Sequence, residues 1–108
     1  MDFDKYQELA RRTASDGACT RSEMMFEATL GVTGEAGEIA DHLKKYLYQG
    51  HDIDYDHIAE EAGDLLWYIA LLADALGVSM ESIARDNIAK LEKRYPYGFD
   101  PERSINRD

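Results

Sequence analysis

From Leu65 to Ala73 the chain reads Leu-Leu-Trp-Tyr-Ile-Ala-Leu-Leu-Ala, nine consecutive residues that are all apolar or aromatic. The run is too short to span a membrane. A helix that is apolar all round is buried all round. At 108 residues the chain is one small domain, and the rest of so short a chain cannot cover such a helix on every side. The run therefore predicts a partner subunit as well as a core. No repeat, low-complexity segment or strand-like alternation accompanies it, so an all-α fold is expected.

Four helices and a tail can be placed. The first spans about Phe3 to Thr13, with Asp2 as its cap. Ser15-Asp16-Gly17-Ala18 reads as a loop. The second runs from near Ser22 to about Gln49 and stops at Gly50. Its apolar line is Met25, Val32, Ala36, Ile39, Leu43 and Leu47. Beside it runs Met24, Ala28, Gly31, Glu35, Glu38, His42, so Glu35 borders the core stripe and Glu38 lies further round. Gly31, Gly34 and Gly37 each weaken this helix by up to about 1 kcal/mol relative to alanine. Close approach of a neighbouring helix or room for a ligand would explain them, and a kink is a further option. The third helix begins at Asp54 or Asp56 and ends at Gly77. The fourth is capped by Ser79, runs to about Arg94 and is ended by Pro96. Residues 1–96 are expected to form the domain. Residues 97–108 form a tail, either an arm packed on a neighbour or a frayed end, the default for termini.

The second and third helices each carry an acidic pair, Glu35-Ala-Gly-Glu38 and Glu61-Ala-Gly-Asp64. Residues three apart share a helix face. Chance alone gives about four such pairs in a chain this acidic, so the signal lies in the setting. The line through Glu61, Asp64 and Tyr68 continues to Leu71 and Ala75, inside the most hydrophobic segment. A solvated acidic face does not run into a core. If the two helices pack together, four carboxylates converge, and their repulsion calls for a hard divalent cation such as Mg²⁺ or Mn²⁺. Such a site suits phosphate chemistry.

The net charge of −10 argues against nucleic-acid and anionic-membrane partners. It leaves an anionic nucleotide possible where a metal inverts the local field. Cys19 is the single cysteine, read as an unremarkable loop or semi-buried thiol, so no intrachain disulfide forms. Met1-Asp2-Phe3-Asp4 has no signal-peptide character. A reducing cytoplasm fits these features.

On the fourth helix Asn87, Lys90 and Arg94 share a face that could grip a polyphosphate or could be ordinary solvated surface. An antiparallel bundle would bring that face near the acidic pair of the third helix. Trp67 and Tyr68 could stack on a nucleobase, but core or interface is the commoner role. His42 reads as surface or as a partner of a ligand, and nothing singles out His51 or His57. There is no glycine-rich phosphate loop and no nucleophile with a base beside it.

The pattern Glu35-Ala-Gly-Glu38, 22 residues, then Glu61-Ala-Gly-Asp64-Leu-Leu-Trp resembles the signature of the MazG-like all-α nucleoside triphosphate pyrophosphohydrolases, relatives of dimeric dUTPases and phosphoribosyl-ATP pyrophosphatases. Asn87-Ile-Ala-Lys90-Leu-Glu-Lys-Arg94-Tyr-Pro96 resembles the family's closing Lys-x-x-x-Arg-x-Pro element. The resemblance covers about Gly31 to Pro96. It implies a four-helix MazG-like bundle completed by oligomerisation, as a homodimer or homotetramer. It also implies hydrolysis of a nucleoside triphosphate to monophosphate and pyrophosphate. Glu35, Glu38, Glu61 and Asp64 occupy its metal-ligand places, and Lys90 and Arg94 its phosphate-contacting places. The tail resembles those of small stand-alone members, some of them phage-encoded. Glu38, furthest from the core stripe, is the choice for general base, with Glu35 and Glu60 as alternatives. Lys44 and Lys45 are the reserve phosphate contacts. Phosphoribosyl-ATP or nucleoside diphosphate hydrolysis is the alternative within the superfamily. The rival class is a non-enzymatic helical dimerisation module whose acidic pairs are only surface.

Overall fold

The computed structural model describes residues 1–14 and 20–107, and the loop expected at Ser15–Ala18, Cys19 and the last residue of the tail lie outside them. Among the described residues all the regular structure is helical. The elements are α1 (Phe3–Ala10, extended by a 3₁₀ turn over Arg11–Thr13), α2 (Arg21–Tyr48), α3 (Tyr55–Leu76), α4 (Met80–Arg94) and a short α5 (Pro101–Ile105).

Local signals set the boundaries. The Asp2 carboxylate accepts from the Lys5 N–H at 2.8 Å. Thr20, Asp54 and Ser79 cap α2, α3 and α4 in the same way. Gly77, at φ +72°, ends α3, where a residue with a β-carbon would be strained.

α2 and α3 form a long hairpin closed at both ends. Near the loop the Asp54 N–H donates to His42 Nε2 at 3.1 Å. At the far end the Arg21 guanidinium donates to the carbonyls of Ala75 and Leu76, the last of α3. Between them Gly31 lies so close to α3 that a methyl group there would overlap the Tyr68 ring. Close approach is thus the reason for Gly31. Gly34 and Gly37 face open space.

α1 is fastened across α3 and the start of α4. Buried Gln7 donates to Asp74 at 2.7 Å and to the Val78 carbonyl, and accepts from the Met80 N–H at 2.8 Å. Arg11 makes a two-pronged bond to the Asp74 carboxylate. Trp67 donates its indole N–H to Thr13 and Ala10, which commits it to structure. Tyr6, Leu66 and Ile69 pack around the buried Ala70, Ala73 and Met80.

Three expectations need correction. First, α4 is not antiparallel to α3 but leaves it at 98°. Second, the apolar stripe of α2 is not the face that packs on α3. Ala28 on the neighbouring line is fully buried, whereas Leu47 is 64% exposed. Third, the residues beyond Pro96 carry a helix. The apolar run of α3 is buried at Ala70, Leu71 and Ala73 but only half-buried from Leu65 to Ile69. The radius of gyration is 17.0 Å, against about 13 Å for a compact chain of this length. A single copy is open, with apolar faces left uncovered.

Candidate metal centre

The α2–α3 hairpin brings Glu35 and Glu38 against Glu61. Each offers one carboxylate oxygen, and the three oxygens lie within 4.8 Å of one another. Glu61 is buried, Glu35 half-buried and Glu38 exposed, so the cluster runs from the packed interior to the surface. One oxygen of Glu35 and one of Glu61 are buried without any hydrogen-bond partner. Buried acceptors left unpaired are costly, and here two are anionic and side by side. The carboxyls respond as like charges must. Glu38 is held above the ordinary carboxylate value by its neighbour Glu61, as hydrogen-bond partner and then as like charge. Glu61 is pushed the same way, first by Glu35. These oxygens are the donor set a hard divalent cation takes, and the residues present fit such an ion.

Asp64 is not part of that contact set. Its charge still reaches the cluster, where it adds to the upward push on Glu38, and it also helps burial to push up the Tyr6 hydroxyl. Asp41 forms a spaced pair with Glu38 but belongs to Lys44 and Lys45, at 3.0 and 2.9 Å, which hold its carboxyl below the usual range. Lys44 and Lys45 are thereby engaged on α2.

Asn87, Lys90 and Arg94 lie on α4, which turns away from α3, and the chain does not fold them onto the carboxylates. Lys90 and Arg94 instead face α5 across a groove. His57 is the neighbour of the cluster that sequence reasoning passed over. Its Nε2 lies 3.2 Å from Glu61 Oε1, and its ring is 5.4 Å from that of His42. The four-residue spacing from His57 to Glu61 is the signal that could have found it.

A family model described as the MazG nucleotide pyrophosphohydrolase domain matches residues 26–99. The Gene 37 protein of Mycobacterium phage L5 is 36% identical over 114 aligned residues, which span 99% of this chain and 100% of that protein. No solved structure matches the chain.

Proposed function

This chain belongs to the MazG nucleotide pyrophosphohydrolase family, and from that premise we propose that it hydrolyses a nucleoside or deoxynucleoside triphosphate to the monophosphate and pyrophosphate with the help of Mg²⁺ or Mn²⁺. The observation that carries this reading is the pair of unpartnered buried oxygens on Glu35 and Glu61 beside exposed Glu38. A surface acidic patch has no reason to bury anionic acceptors without donors. No single helix among the described residues is long and apolar enough to cross a membrane.

Glu35, Glu38 and Glu61 would hold the cation, and Asp64 keeps the family's fourth place. A bound divalent cation neutralises polyphosphate charge and favours deprotonation of water. The residues do the rest. Glu38, exposed at the mouth of the cluster, takes the proton of the attacking water. The water oxygen bonds to the α-phosphorus, and the bond to the α,β-bridging oxygen breaks with its electron pair leaving on pyrophosphate. Lys90 and Arg94 carry the charge that develops there. Because α4 points away from its own hairpin, these two cations serve the carboxylates of another copy. The uncovered Leu30 and Leu47 of α2 and Ile88 of α4 supply the apolar surface for a dimer or dimer of dimers.

The test is a nucleotide panel with Mg²⁺ or Mn²⁺ in isotopically labelled water. Label in the monophosphate, loss of turnover with chelator and its return with metal are expected. Release of orthophosphate and a diphosphate would sink the assignment. Sedimentation should show an oligomer at micromolar concentration, and a well-folded monomer would break the assembly reading.

A further inference from the structure

Beyond Pro96 the chain reverses. Gly98 adopts φ +95°, and the Tyr95 and Phe99 rings meet with centroids 5.4 Å apart. Asp100 then caps α5 by accepting from the Glu102 N–H at 3.0 Å. The reversal sets α5 beside the last turns of α4, and between them lies a groove of about 600 Å³. That volume suits a small-molecule ligand. One wall supplies Lys90, Lys93 and Arg94, and the other Arg103 and Arg107.

Five of the chain's twelve Lys and Arg therefore face one groove, in a protein of net charge −10. Among the described residues only Arg103 of the five has an acidic partner, Asp100, at the outer limit of 4.0 Å. Helix-dipole compensation accounts for Lys93 and Arg94 at the end of α4. It does not account for Arg103, which lies within the five-residue α5, or for Arg107, which lies two residues beyond its end. Asp100 and Glu102 also line the groove, so its five cations exceed its two acidic groups by three, and such an excess forms a site for an anion. Two facing walls of guanidinium and ammonium donors match a ligand with oxygens on both sides, a chain of at least two phosphates.

We propose that the C-terminal segment folds onto α4 to complete a groove for a pyrophosphate unit, either the released product or the outer phosphates of the intact substrate. The proposal rests on the reading of Lys90 and Arg94 as phosphate contacts and adds Lys93, Arg103 and Arg107 to them.

Calorimetric titration of the full chain with inorganic pyrophosphate, in EDTA so that the carboxylates take no part, tests it. Pyrophosphate should bind well above orthophosphate. Arg103→Gln and Arg107→Gln should each weaken it about tenfold, as expected for one charge-assisted contact. Both side chains are exposed, so these variants keep the fold. Equal affinity of variants and parent, or orthophosphate binding as tightly as pyrophosphate, would overturn the groove. A non-hydrolysable triphosphate analogue separates the sources. Loss of affinity confined to pyrophosphate marks a product site, and loss for both marks a substrate clamp. Normal triphosphate turnover with no pyrophosphate binding would remove the groove and leave the hydrolase. Arginine-dependent pyrophosphate binding without turnover of any nucleotide would do the reverse.

Discussion

Residues 21–76, the α2–α3 hairpin, carry twelve Asp and Glu against three Lys and Arg, whereas residues 77–107 carry five against six. The hairpin is tied at both ends, and its carboxylates are partly buried and crowded. The α4–α5 segment is mostly exposed, and five of its cations face a groove. The hairpin holds nine more acidic than basic residues (twelve minus three), whereas the second segment is nearly balanced and only its groove gathers an excess of cations. Metal and polyphosphate together would neutralise both, and neither half does so alone.

The sharpest way to break this division of labour is on the acidic side. Glu38→Gln and Asp64→Asn should each lower turnover at least about a hundredfold while circular dichroism shows helicity unchanged. Full turnover in either would mean that other carboxylates carry the reaction. On the basic side Lys90→Ala and Arg94→Ala should each cost about 1.5–3 kcal/mol in kcat/KM. If neither variant differs from the parent, α4 is only a solvated face.

The two sets of glycines sharpen the contrast within the hairpin. Gly31→Ala should destabilise by about 1–3 kcal/mol in urea unfolding, because the Tyr68 ring occupies the space. Gly34→Ala should instead stabilise by up to about 1 kcal/mol, since a helix prefers alanine and nothing stands in the way. A loss of turnover in a more stable Gly34→Ala would mark that face as room for substrate or partner.

The smallest effect is electrostatic. Glu38 is held above its ordinary value of 4.5 in the folded chain. The stability it contributes is present below that value and lost as pH rises through the raised one. Without metal, Glu38→Gln should therefore melt higher than the parent at neutral pH, and the gain should vanish below pH 4.5. A parent as stable as the variant at neutral pH would show that the carboxyls are not strained.

The helices were legible because their punctuation is local. Asp2, Asp54, Ser79 and Gly77 act where they stand. The convergence of Glu35, Glu38 and Glu61 was legible because spacing and an apolar setting agree. Three features were not. The 98° turn before α4 depends on Gln7 and Arg11 holding α1 across the junction, contacts more than sixty residues apart in sequence. Which α2 stripe meets α3 was hidden because an uncovered apolar face reads in the sequence like a face packed in the core. The tail helix escaped notice because five residues are too few to show a period.

The hairpin's two ties also bear on ion size. Arg21 fixes one end and His42 the other, while the Tyr68 ring sits tight against Gly31 in between. Repelling carboxylates in a looser pair of helices would relieve themselves by moving apart, opening a cage wide enough for Ca²⁺ with its six to eight ligands. A hairpin tied at both ends resists that relief. Turnover supported by Mg²⁺ and not by Ca²⁺ is the expected consequence, and equal support by Ca²⁺ would show that the ties do not set the size of the ion.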